Sequence, residues 1–270
     1  MIDPAWFAAY GGLGLVVGFV AGLLGVGGGL IIVPVLIMML HAQGLAVGVE
    51  PQLALGTSLA SILFTSLSSV RAHHRHGAVE WALVRRIAPG VVLGTLVGAM
   101  LAAQMSAWAL KVFFVAFLFY AAIQMWLDFK PAPHRGLPGR AGTAVAGGVI
   151  GAVSSWVGIG GGTLSVPFML WHNVTLHRAI ATSSAIGFPI AIAGALGYVL
   201  GGWEVSDRPA GSLGFVYLPA LACIVLGSVL TAPLGARTAH RTPVRPLKRV
   251  FALLLLALAL RMAWSLQTGS

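Results

Sequence analysis

The sequence predicts an all-α membrane protein made of two inverted repeats, each a re-entrant broken-helix hairpin followed by three transmembrane helices. Three observations carry that expectation. Hydrophobic residues make up 58% of the chain and charged residues only 8%, arranged in apolar runs about 20 residues long, the length of one bilayer crossing. A glycine-rich stretch interrupts the first run and recurs in the second half. The basic residues cluster in the short segments between runs, on alternate sides in the two halves.

The first run, Trp6 to Leu24, leads into Gly25-Val26-Gly27-Gly28-Gly29-Leu30-Ile31-Ile32-Val33-Pro34, which the chain repeats as Gly158-Ile159-Gly160-Gly161-Gly162-Thr163-Leu164-Ser165-Val166-Pro167. Each glycine costs a helix roughly 1 kcal/mol against alanine, so both stretches read as helix breaks inside lipid-compatible sequence. A bilayer tolerates such breaks only where protein buries them or where they line a cavity, and breaks at matching places in two halves point to a binding site. Leu30 to Leu40 is a half-helix of about 16 Å, half a bilayer core. Pro51 to Val70 makes a full span carrying Gly56-Thr57-Ser58.

Arg71 to Arg86 is basic and reads as cytoplasmic. Ile87 to Gln104 crosses outward, Ser106 marks a turn, and Leu110 to Asp128 returns. Lys130, Arg135 and Arg140, interspersed with prolines, separate a first repeat over 1–130 from a second over 142–270, with a cytoplasmic linker at 131–141. The second half follows the same plan: Gly142 to Val157, the break, a half-helix Thr163 to Trp171, and a span Ala179 to Leu200 carrying Ala181-Thr182-Ser183. An acidic connection, Gly201 to Gly214, follows, then spans at Phe215 to Ala236 and Val250 to Leu266 around the basic segment Arg237 to Arg249. Gly94-Thr95 matches Gly227-Ser228, so a whole half is duplicated.

Charge then sets the orientation of the copies. The connection after the second element is basic in the first half and acidic in the second; the next connection is uncharged in the first and basic in the second. Inverted halves need an odd number of crossings each, so each broken element enters and returns on one side. All Lys and Arg residues except Lys111, Arg208 and Arg261 then lie inside, and Asp3, Glu50, Glu204 and Asp207 lie outside. Net charge +10 is thereby a topology signal, and nucleic acid is excluded as a partner because the cations form no stripe.

Two re-entrant elements dipping from opposite faces bring their glycine turns together near the midplane. The N-termini of the half-helices then offer partial positive charge and unpaired N–H groups, and glycine runs form amide nests that hold anions. The expected substrate is a small oxyanion. Its expected contacts are Gly27, Gly28, Gly29, Gly160, Gly161 and Gly162, with the hydroxyl donors Thr57, Ser58, Thr163, Thr182 and Ser183. The bland alternative is that glycines and small hydroxyl residues simply pack membrane helices closely; the pairing of the breaks favours a site. Leu30 stands where the second copy has Thr163, so the half-sites are unequal.

No Asp or Glu lies deep in a span, which leaves no carboxylate proton relay; a coupled proton would ride on the substrate or on His41 or His172. Arg261 is expected to snorkel to the outer interface. His73-His74-Arg75-His76 reads as a solvated face rather than a metal cluster, Cys223 as an inert small hydrophobe, and Met1 as the mature start, since no basic segment precedes the first run. An intramembrane hydrolase would need a histidine on a span facing a serine, and the histidines sit in loops or at span ends. No cofactor and no metal is expected. A homodimer in the bilayer is compatible with this reading.

These residues resemble the TauE/SafE, or sulfite exporter, family of membrane transporters. The resemblance rests on both copies of Gly-x-Gly-Gly-Gly with a proline after four intervening residues, and on Gly56-Thr57-Ser58 and Ala181-Thr182-Ser183 behind them. It implies an inner-membrane, multi-pass carrier for sulfite or an organosulfonate, with export as the assigned direction, and it makes Gly27 to Gly29 and Gly160 to Gly162 the turns around the substrate. The expected function is a secondary transporter working by alternating access, with a passive small-anion channel as the alternative and no enzymatic activity.

Overall fold

A computed structural model of the chain describes residues 3–24, 28–45, 48–75, 77–127, 136–239 and 244–268. Helices α1 (Pro4–Leu24), α2 (Gly29–Ala42), α3 (Glu50–Arg75), α4 (Trp81–Gln104) and α5 (Ala107–Leu127) are followed by α6 (Arg140–Val157), α7 (Gly162–Trp171) and α8 (Leu176–Gly201). A two-stranded hairpin, β1 (Ser212–Leu213) and β2 (Val216–Tyr217), precedes α9 (Leu218–Ala239) and α10 (Val244–Thr268). Among the described residues, seven helices are long and apolar enough to cross a membrane: α1, α3, α4, α5, α8, α9 and α10. The chain is an all-α, multi-pass membrane protein.

Helices α2 and α7 are too short to cross, at about 21 Å and 15 Å by helical rise. Each folds back from the end of a longer helix. A methyl group on Gly28 would meet Val17, and farther along α2 the Gln43 amide Nε2 donates to the Tyr10 hydroxyl at 2.6 Å. As α2 advances, its neighbours on α1 run backwards, so the pair forms a hairpin.

Small residues set how the long helices pack, as expected where lipid removes the hydrophobic drive between helices. Along α1 and α9 the contacts advance together: a Cβ at Gly14 would lie 2.5 Å from the Ile224 carbonyl oxygen, one at Gly18 would strike Ser228, and one at Gly235 would strike Phe19. Along α4 and α6 they also advance together, with Gly90 on Ala144, Gly94 on Gly148 and Gly98 on Ala152. Both pairs are parallel. Helix α8 runs parallel to α4, with Gly194 on Thr95, Gly197 on Ala99 and Gly201 on Ala103; it runs antiparallel to α3, where Gly56 meets Tyr198 and Leu59 meets Gly194.

Two expectations at element ends need correction. Phe215 to Tyr217, read as the start of a span, belong instead to the β hairpin and are buried. Pro219 sits in the first turn of α9, where a missing amide is tolerated, so the helix starts at Leu218. The basic segment 237–249 is partly helical, since α10 begins at Val244 and carries Arg245, Lys248 and Arg249 in its first turns. Hydropathy marks where a helix leaves lipid, whereas the intrahelical hydrogen bonds continue into the interface.

The α1–α9 seam yields a stability test. Gly14→Ala should lower the thermal midpoint of the detergent-solubilised protein by several degrees, because overpacking against a backbone carbonyl costs about 1–3 kcal/mol. Gly12→Ala, with nothing within 4 Å of the added methyl, should hold or raise it. Equal midpoints for the two variants would mean that the seam yields freely.

Candidate functional site

The second break is fully described. Helix α6 ends at Gly158 in the left-handed region (φ 69°), whose amide donates to the Ser154 carbonyl; the Ile159 amide donates to the same oxygen at 3.1 Å. Gly161 is also left-handed (φ 80°) and caps α7, its carbonyl accepting from the amides of Leu164 and Ser165. Two left-handed residues within four positions reverse the chain without a Cβ penalty. Helix α7 thus starts beside the end of α6, and its first amides, Gly162 and Thr163, have no acceptor among the described residues.

The first break enters at its second edge, because Gly25, Val26 and Gly27 lie outside the described residues. Gly28 caps α2, its carbonyl accepting from the amides of Ile31 and Ile32 at 3.0 Å. Gly29 stands against the second break: a Cβ there would lie 2.1 Å from the Gly158 carbonyl oxygen and 3.2 Å from the Ile159 Cα. The Ser58 hydroxyl donates to that same Gly158 oxygen at 2.8 Å. On the other side of the break, a Cβ at Gly187 of α8 would lie 2.9 Å from the Gly160 carbonyl. The two breaks therefore touch each other, clasped between α3 and α8.

The hydroxyls predicted to join this site divide into groups. Ser58 is at the junction and spends its proton on Gly158. Thr57 accepts from the Tyr217 amide at 2.9 Å, and Thr182 accepts from the Glu80 amide at 3.0 Å. Glu80 and Tyr217 immediately precede α4 and α9, so these threonines brace the connections ahead of corresponding helices. Thr163 is buried, with no partner for its hydroxyl among the described residues. Ser183 is buried on α8 beside Thr182, and Leu30, the counterpart of Thr163, is fully buried.

Of the other buried hydroxyls without a partner among the described residues, which include Thr95 and Tyr217, two flank this break. Ser154, one turn before the end of α6, and Ser165, in the first turn of α7, are fully buried with unpaired hydroxyls among the described residues. The Ser154 Oγ lies 3.7 Å from where a Cβ on Gly161 would sit. An unpaired buried hydroxyl costs about 1–3 kcal/mol, and Ser154, Thr163 and Ser165 concentrate three of them around one break. The sequence signal for Ser154 was its position four residues before a left-handed helix end.

Where α3 begins, Glu50 is buried, accepting from the Gly48 amide at 3.0 Å, with His41 Nδ1 at 3.5 Å from its other oxygen. Tyr217 packs edge-on against Tyr10; burial, then the nearby Tyr10, pushes the Tyr217 phenol up to about 12. His172, at the end of α7, has Nδ1 at 2.7 Å from the Phe168 carbonyl, so that nitrogen carries the proton. Arg261 is exposed on α10 and donates to the Met38 sulfur, away from the breaks. No group of three metal-ligating side chains occurs among the described residues; His76 and the side chains of His73 and Arg75 lie outside them, and His74 accepts from the Trp81 indole.

Residues 10–262 match the sulfite exporter TauE/SafE family. The chain belongs to that family. Among its relatives, a probable membrane transporter protein of Haemophilus influenzae is 35% identical over 93% of this chain and 95% of its own. A Bacillus subtilis counterpart, the probable membrane transporter protein YunE, is 29% identical over the same shares. A probable membrane transporter protein of Methanocaldococcus jannaschii is 25% identical over 83% of each chain. No solved structure matches. This TauE/SafE protein is accordingly a membrane transporter and not an enzyme.

Proposed function

We propose that this TauE/SafE protein is a secondary transporter that carries a small sulfur oxyanion, sulfite or an organosulfonate, outward across the inner membrane. The substrate is held at the junction of the two glycine breaks. The observation that carries this reading is the contact of Gly29 with Gly158 and Ile159, next to an α7 N-terminus whose amides and neighbouring hydroxyls have no partner among the described residues. Donors without acceptors, at the positive end of a helix, suit an anion, and the family's name supplies the sulfur chemistry.

Alternating access follows from the repeat. Helices α4, α6 and α8 share one direction and α3 opposes it, while α9 returns from the hairpin that folds back beside the end of α8, with α1 parallel to it. Helices α1, α3 and α4 thus run opposite to α6, α8 and α9, their counterparts in 142–270, which supports an inverted repeat whose halves rock about a fixed central site. Thr57 and Thr182 then act on the two approaches to the site, while Ser58, Thr163 and Gly160 to Gly162 contact the anion with Gly27 to Gly29 and Ser183. Ser154 joins them.

Purified protein in liposomes tests this. Labelled sulfite should show saturable uptake and counterflow, whereas a channel would conduct current without counterflow. Because a hydrogen bond to a charged group contributes about 1.5–3 kcal/mol, Thr163→Ala and Ser154→Ala should each weaken sulfite binding by about ten- to a hundredfold while the protein still inserts. Wild-type affinity in both would remove the anion from this break.

A further inference from the structure

At the inner mouth, the end next to the basic connections, a carboxylate holds an arginine fork, whereas the carboxylate of the other mouth, Glu50, has His41 beside it. A cleft of about 310 Å³ opens beside the end of α7 and the start of α8, lined by Glu80, Arg86, His172, Asn173 and Arg178. Arg86 also lines an adjoining cleft with Arg85 and Arg140. Across both, four arginines face one carboxylate. That carboxylate, Glu80, already holds Arg178: Nη1 of the arginine lies 2.5 Å from Oε1, with both side chains partly in water. The Glu80 amide is the one bonded to Thr182, a turn beyond Arg178 on the same helix. Farther along α8, Gly187 touches Gly160 of the break, about 14 Å from Arg178 by helical rise.

The other mouth has the same brace, with Glu50 beside His41 in place of the arginine pair. There Thr57 receives the Tyr217 amide, and the residue one turn before Thr57 is Leu53, fully buried. The arginine–carboxylate pair of Glu80 and Arg178 therefore differs in kind from the histidine–carboxylate pair on the other side. An exposed pair contributes little to stability, about 0–1 kcal/mol, which makes it cheap to exchange for another anion. The arginine fork suits oxyanions with two oxygens to offer.

Building on the transport reading, we propose that Arg178 and Arg86 form a receiving site for a small oxyanion at the inner mouth. The arriving oxyanion displaces Glu80 from Arg178 and so loosens the Glu80–Thr182 contact that closes the way along α8. No bond to the substrate is made or broken; one carboxylate is exchanged for another anion on the same guanidinium.

The test is sulfite flux in liposomes measured from each face, with sulfite and sulfate binding by calorimetry in detergent. Arg178→Gln should raise the half-saturating concentration at the inner face about tenfold or more and leave the outer face unchanged. Glu80→Gln should shift the inner value the opposite way, because Arg178 then waits unoccupied. Arg237→Gln, an equal loss of basic charge outside both clefts, should move neither. Equal effects of Arg178→Gln and Arg237→Gln would mean surface charge alone, and a rise in Glu80→Gln would make the pair a structural brace; either result overturns the proposal. Arg178-dependent binding without flux would sink the transport reading and keep the site, whereas unaltered inner kinetics in Arg178→Gln would sink the site and keep the transport reading.

Discussion

Gly29→Ala should reduce sulfite transport by at least tenfold while the protein continues to insert and purify. The added methyl would sit 2.1 Å from the Gly158 carbonyl oxygen and 3.0 Å from its carbon. Both are backbone atoms, so no rotamer change relieves the clash; α2 or the second break must move. Moving the break stretches the Ser58 bond to the same oxygen, and the combined cost is about 1–3 kcal/mol for overpacking plus about 1 kcal/mol for the hydrogen bond. Ser58→Ala alone removes only the second part and should give the smaller defect. Transport and thermal midpoint measured together decide it: a Gly29→Ala protein with normal flux would show that the breaks need not touch for function.

Gly161→Leu should abolish anion binding. Two separate effects act at this position. Its φ of 80° is left-handed, which costs a residue bearing a Cβ about 1–2 kcal/mol, and the new Cβ would lie 2.5 Å from the Ile190 Cδ1. The second is the end of a flexible side chain and can be relieved; the first cannot. Gly161→Ala with Ile190→Val should therefore recover only part of the loss seen in Gly161→Ala, whereas Gly161→Asn, which tolerates the left-handed region, should lose less for backbone reasons. Calorimetric titration with sulfite ranks the series. Wild-type affinity in Gly161→Leu would place the anion elsewhere.

Much of the architecture was legible because its signals are local. Helix α7 begins within a residue of the expected Thr163 and ends at the expected Trp171, since glycines before it and a polar turn after it leave no choice of ends. Phe215 to Tyr217 misled because three apolar residues ahead of a helix look the same whether they extend it or fold back as a strand. Among the hydroxyls, Thr57 and Thr163 have equal claims in the sequence. Only their neighbours differ: the Tyr217 amide reaches Thr57, and nothing among the described residues reaches the Thr163 hydroxyl.

The sequence by itself determined that this chain lives in a bilayer and where its helices must break. Hydropathy and glycine content act over a few residues, and lipid forbids unpaired backbone outside those breaks. Only the tertiary structure decided that Gly29 abuts Gly158, that Thr57 and Thr182 are engaged while Ser154, Thr163 and Ser165 have no partner among the described residues, and that Glu80 holds Arg178 from 98 positions away. A hydrogen bond or a close approach depends on which distant segment packing brings within about 3 Å, and no local pattern records that.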